Sequence, residues 1–209
     1  VLLKYCIMKI AFIGDSFCSE TWKDTWCGIV TKNFDAKVIP LGQSGSNEYA
    51  ILDRFKKLLS KNIIPDLTIF CHTDPYRLPN IDNLPLGSRC AEPPSPLTPV
   101  WETSFAYYDN IINYGFHELS HLAIINEIKK LCVDHNITVL HLRSFVPSDN
   151  NVEYKEYNWN PELYPSYNTS LESISKDYLE PEIANHLNHE GNKYVAKLVI
   201  ELIKEYKLI

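Results

Sequence analysis

Two rhythms of apolar and polar residues alternate along this chain. Lys9 to Ile13 (KIAFI) is a short apolar run that stops at Gly14-Asp15-Ser16, which predicts a buried strand and a turn. From Thr21 to about Phe34, Trp22, Trp26, Ile29 and Val30 recur at helical spacing, so an amphipathic helix follows. Ala36 to Leu41 reads as a second strand, ended by Gly42-Gln43-Ser44-Gly45. A helix then begins near Ser46, its expected N-cap, with Ile51, Phe55, Leu58 and Leu59 inward and Pro65 as its stop. Leu67 to Cys71 predicts strand three, and Thr138 to Leu142 strand four. Between them helical pattern returns by about Asp109 and is strong from Glu118 to Cys132. The last helix runs from about Glu190 to Tyr206, with Val195, Leu198, Val199 and Leu202 on its inner face.

Strands alternating with helices predict an α/β protein: three layers, α/β/α, around a mainly parallel sheet of four to five strands. The 209 residues suit a single domain spanning 1–209. In such sheets ligands bind beyond the carboxyl ends of the strands, so the turns after strands one to three should share a crevice. Two segments lack periodicity, the proline-rich 75–99 and the Tyr- and Asn-rich 147–181. Long irregular stretches in a compact domain are usually functional or mobile, and both are expected to border the crevice as lids.

Charge narrows the function. Twenty basic and 26 acidic residues give a net charge of −6, which argues against a basic patch for nucleic acid. Six scattered cysteines without a CxxC pair read as reduced thiols. No run approaches the roughly 18–20 apolar residues of a membrane span. Residues 1–7 are too short for a signal peptide and read as an upstream extension. The expectation is a cytoplasmic protein without a membrane span.

Three turns carry chemistry. Ser16 follows the first strand at a place where backbone N–H groups favour developing negative charge, although it also suits a simple cap. Gly45, in the second turn, lets the backbone approach a ligand and can offer its N–H beside that of Ser16. His186 and His189 precede the last helix, and either could reach Ser16, which is a poor nucleophile without a base.

Together these elements resemble the SGNH/GDSL hydrolase family over nearly the whole chain. AFIGDS looks like its first block, LGQSGSN its second and HLNHEGNKYVA its last. The resemblance implies an SGNH-hydrolase or flavodoxin-like fold, Ser16 as nucleophile and Gly45 as the oxyanion glycine. The spacing of Asn188, Gly191 and Ala196 in the last block favours His186 over His189 as the base. Two positions depart from the family. Its Gly-x-Asn-Asp block reads Cys71-His72-Thr73-Asp74 here, leaving Thr73, with His72 or Arg77, to supply the third oxyanion donor. The aspartate three residues before the histidine is Ile183, leaving Glu182, Asp177 or a backbone carbonyl to orient the imidazole. Asp15, Asn47, Asp74 and Arg77 are the expected substrate contacts.

The implied reaction is serine-dependent ester hydrolysis without metal or organic cofactor. The implied partner is a small-molecule ester or an acylated glycan, with a carbohydrate O-acetyl group preferred. Two rivals stand beside it. One is a binding or structural protein that keeps the fold without hydrolysis. The other is a zinc hydrolase built on His117-Glu118-Leu119-Ser120-His121, an HExxH motif whose histidines also line up with Ile124, Ile128 and Leu131 on a core-facing stripe. Trp22, Trp26 and the tyrosines 154, 157, 164 and 167 fit a sugar-binding surface or, more simply, packing.

Overall fold

The computed structural model describes residues 7–19, 23–79, 86, 98–145, 170–175, 179–180 and 183–209. Four strands form one parallel sheet: β1 (Lys9–Gly14), β2 (Lys37–Gly42), β3 (Leu67–His72) and β4 (Thr138–Arg143), in the order β2-β1-β3-β4. The helices are α1 (Trp26–Asn33), α2 (Glu48–Ser60), α3 (Pro99–Asn110), α4 (Tyr114–Asp134), α5 (Leu171–Ser175) and α6 (His189–Glu205). A short antiparallel pair, β5 (Leu179–Glu180) and β6 (Ile183–Leu187), lies outside the main sheet.

Alternation along β1 divides the core. Ile10 and Phe12 point to one face, where they join Trp26 and Val30 of α1 and Val195, Val199 and Ile203 of α6. Ala11 and Ile13 point to the other, against Ile51, Phe55 and Leu59 of α2 and Ile128 and Cys132 of α4. Helices thus cover both faces of a sheet whose strands β1 and β3 are almost wholly buried, the three-layer arrangement that the sequence pattern predicts. The stripe on α4 is shifted by one position: His117, His121, Ile125, Ile128 and Cys132 are buried, and Ile124 and Leu131 flank them. Asn47, not Ser46, caps α2, accepting from the Ala50 N–H. The first helix begins later than its pattern suggests, at Trp26 behind an N-cap at Thr25. α3 lies where little periodicity was legible, its start overlapping the proline-rich stretch. Most of the two lid segments, with Trp22, Asp177, Glu182 and the four tyrosines, lies outside the described residues. No helix among the described residues is long and apolar enough to cross a membrane.

Chain order against sheet order makes a switch point between β1 and β3, since β1 leads out to β2 and the chain returns to the other side. There Gly14 pairs with Gly42 on one side and Cys71 on the other. The chain leaving β1 folds into a single 3-10 turn, Ser16–Cys18, which packs tightly on the end of β2. A Cβ on Gly42 would sit 2.1 Å from the Cys18 carbonyl oxygen and 2.4 Å from its carbonyl carbon. Because the obstruction is backbone, no rotamer relieves it. Gly42→Ala is therefore expected to destabilise the protein by roughly 2–3 kcal/mol or more, measured by chemical denaturation. Gly115→Ala is the control. Its new Cβ would meet nothing closer than 3.6 Å, and in a helix alanine is favoured over glycine by about 1 kcal/mol.

Candidate active site

The turns after the paired strands β1 and β2 carry three predicted groups. Ser16 opens the 3-10 turn and is half-buried. Asp15 caps that turn, its carboxylate accepting from the Phe17 N–H at 3.0 Å and from the Ser144 hydroxyl at 2.9 Å. Gly45 has φ of 77°, the left-handed region that glycine adopts without strain. Neither the N–H of Ser16, nor its hydroxyl, nor the N–H of the buried Gly45 is hydrogen-bonded to another described residue. Two backbone donors without a partner among the described residues, on adjacent loops, suit an anion.

The last block reaches the same place from the other side. β6, which carries His186, lies against the Ser16–Cys18 turn. Asn188 caps α6 by accepting from Gly191 N–H at 2.9 Å. Asn192 accepts from the Trp26 N–H at 2.8 Å and donates to the carbonyls of Leu187 and Asn188. Trp26 in turn donates its indole N–H to the Phe17 carbonyl at 2.6 Å, so the last block is tied to the first. His189 stands exposed in the first turn of α6. Glu182 lies outside the described residues.

Several expected ligand contacts also brace loops. Asp15, Asn47 and Asp74 are buried. Asn47 donates to the Leu78 carbonyl besides capping α2, and Asp74 accepts from the Tyr76 N–H. Burial raises the Asp15 pKa, opposed first by the Arg77 guanidinium. Arg77 lies 3.9 Å from the Asp15 carboxylate, donates to the Ser46 carbonyl and covers the Phe145 ring. The Thr73 hydroxyl, the expected third oxyanion donor, is buried on the Asp15 side of the crevice. His72 cannot serve as that donor, because both its ring nitrogens are engaged inside the core.

That engagement belongs to a cluster that the sequence reading did not assemble. The Glu48 carboxylate, in the first turn of α2, bonds His72 Nδ1 at 2.7 Å through Oε1. Through Oε2 it accepts from the Thr73 N–H and meets His121 Nε2, both at 3.2 Å. His72 Nε2 lies 2.8 Å from His141 Nδ1, and the two rings stack on each other and on Phe70. The histidine neighbours hold the Glu48 carboxyl far below the usual carboxylate range despite its burial. Two signals were available. Glu48 is in phase with Ile51 and Phe55 on the buried face of α2, and His72 and His141 interrupt apolar strands.

The HExxH motif is spent on similar bonds. His117 Nε2 meets the Tyr107 hydroxyl at 2.6 Å, and His121 Nε2 meets Glu48 and the Thr73 carbonyl. Glu118 accepts from the Tyr76 hydroxyl at 2.7 Å. The two imidazoles therefore serve different partners, and no group of His, Cys, Asp and Glu among the described residues is arranged to hold a metal ion.

Burial depresses the pKa of His141 well below its ordinary 6.5, and that of His117 below the same value. A histidine depressed in the folded state takes up its proton first in the unfolded chain. Its contribution to stability is thus intact above pH 6.5 and declines as the pH falls towards the folded pKa. Glu48, also depressed, adds a loss of the same sign below about 4.5, whereas Asp15, raised, acts in the opposite sense in the acid range. The melting temperature is expected to fall between pH 8 and pH 5, by roughly 2–4 °C per kcal/mol lost. His141→Asn, which keeps an amide near Nδ1 and cannot titrate, should flatten that slope. An unchanged slope in a thermal melt series would remove His141 from the account.

No protein-family model matches the sequence, and no curated protein matches it. Solved structures do match its fold. A lipolytic-type protein of the G-D-S-L family from Desulfitobacterium hafniense DCB-2 superposes with a TM-score of 0.57 at 13% identity, covering 93% of this chain and 99% of that one. The psychrotrophic esterase EstA from Pseudoalteromonas sp. gives 0.57 at 13%, covering 95% and 97%. The acetyl xylan esterase AlAXEase gives 0.51 at 15%, covering 94% and 100%. The chain therefore has the α/β/α fold of the G-D-S-L (SGNH) hydrolases, the fold its three sequence blocks resemble.

Proposed function

We propose that this protein hydrolyses small esters with Ser16 as nucleophile and His186 as general base. The observation that carries the reading is the meeting of three blocks at one strand edge. Ser16 and Gly45 follow the paired ends of β1 and β2, neither N–H is hydrogen-bonded to another described residue, and the strand bearing His186 packs on the Ser16 turn. In the first step His186 takes the Ser16 proton while Oγ bonds to the ester carbonyl carbon. Charge on the carbonyl oxygen is met by the Ser16 and Gly45 N–H groups. The carbon–alkoxy bond then breaks, and the imidazolium returns its proton to the departing alcohol. Water, deprotonated by the same imidazole, releases the acid and restores Ser16. Glu182 is the acid assigned to orient His186.

The substrate class is a short acyl ester, with an O-acetyl group on a carbohydrate as the leading case. The acetyl xylan esterase of the same fold supports that choice. Thr73, turned toward Asp15, favours a second reading in which the crevice binds ligand without turnover. The two separate on treatment with a fluorophosphonate probe and location of the adduct by mass spectrometry. Hydrolysis predicts labelling at Ser16 that is absent in Ser16→Ala and reduced at least about 10²–10⁴-fold in His186→Ala, the usual worth of a general base. A folded protein that stays unlabelled would support the binding reading.

A further inference from the structure

Three elements of the candidate site converge on one carboxylate. Glu48 stands three residues after Gly45, on the first turn of the helix that the glycine loop feeds. Its Oε2 holds the Thr73 N–H at 3.2 Å, so the second turn is fastened to the end of β3. His121 Nε2, 3.2 Å from both Glu48 Oε2 and the Thr73 carbonyl oxygen, closes the arrangement from α4. Both neighbours of Nε2 are acceptors, so that nitrogen carries the proton and donates to them. Thus both backbone polar groups of Thr73 are held, the N–H by Glu48 and the carbonyl by His121.

Two paths lead from there to the nucleophile. The Thr73 hydroxyl faces Asp15. The His72 carbonyl accepts from the Ser144 N–H at 2.8 Å, and the Ser144 hydroxyl donates to Asp15 at 2.9 Å. Asp15 then fixes the Ser16 turn through the Phe17 N–H at 3.0 Å. We infer that Glu48 and His121 are positioning residues that fasten the Gly45 loop to the end of β3 and, through Asp15, set the spacing of the Ser16 and Gly45 N–H groups. The inference rests on the proposed hydrolase reading. A site that relies on two backbone donors depends heavily on that spacing, since a displacement of about 1 Å can cost on the order of 10² in rate.

The test measures fluorophosphonate inactivation as a function of probe concentration for wild type, Glu48→Gln, His121→Leu and His121→Gln. Circular dichroism and melting curves fix the folded fraction of each. His121→Gln keeps a side-chain N–H near the place of Nε2, and His121→Leu removes it. Positioning predicts that His121→Leu and Glu48→Gln slow inactivation at saturating probe by about 10–100-fold. The half-saturating concentration should stay within about twofold, and His121→Gln should recover to within about threefold of wild type. If Glu48→Gln does not fold, the two His121 variants decide the matter. Equal rates for folded His121→Leu and wild type would overturn the inference, as would a loss that only tracks the unfolded fraction or is not recovered in His121→Gln. Wild type unlabelled at Ser16 would overturn the hydrolase reading and this inference with it, whereas labelled wild type with unaffected variants overturns the inference alone.

Discussion

A carboxylate buried in an apolar core needs a donor at every lone pair that water has left, and in this protein that need organises the sheet's upper edge. Glu48 finds its three donors on two separate segments: the His72 ring and Thr73 N–H at the end of β3, and His121 on α4. Each of these must be in register before the charge can be buried without heavy cost. The ends of β3 and β4, the start of α2 and the buried face of α4 are therefore mutually determined. His141 extends the same constraint to β4, and the stacked rings of Phe70, His72 and His141 fill the space around it. A fully satisfied network of this kind tends to specify one arrangement rather than simply add stability.

The second constraint is steric and lies on the opposite side of the switch point. The 3-10 turn bearing Ser16 fits only because Gly14 and Gly42 leave room for Cys18 and Cys71 against the strand ends. The polar cluster fixes the β3 side of the crevice, and the glycines admit the Ser16 turn from the β1–β2 side. Asp15 joins the two halves, being bonded to the turn on one side and to Ser144 on the other.

The architecture was legible because apolar periodicity reports burial directly. KIAFI, the α2 stripe and the α6 stripe each fall on the faces that their spacing predicts. The main misreadings were local. Ser46 and Asn47 are both good caps, and only the geometry of the chain leaving Gly45 selects Asn47. The placing of Ser16 and Gly45 after the ends of two neighbouring strands was legible through the order of the blocks. The roles of Asp15, Asn47, Asp74 and Thr73 were not, since a polar residue in a loop looks the same in sequence whether it faces a ligand or braces its neighbours. Glu48, His121 and His141 escaped for a related reason: their partnership joins residues up to 93 positions apart, and no local pattern reports it.

The central claim is that Ser16 is an activated nucleophile served by two backbone donors. Rapid mixing with p-nitrophenyl acetate, followed by acid quench and peptide mass spectrometry, tests it most directly. The account predicts an initial burst of p-nitrophenol approaching one equivalent per chain where deacylation is slower than acylation, and an acetyl group trapped on the Ser16 peptide. Ester turnover with the acetyl group on another residue, or unchanged turnover in Ser16→Ala, would contradict it.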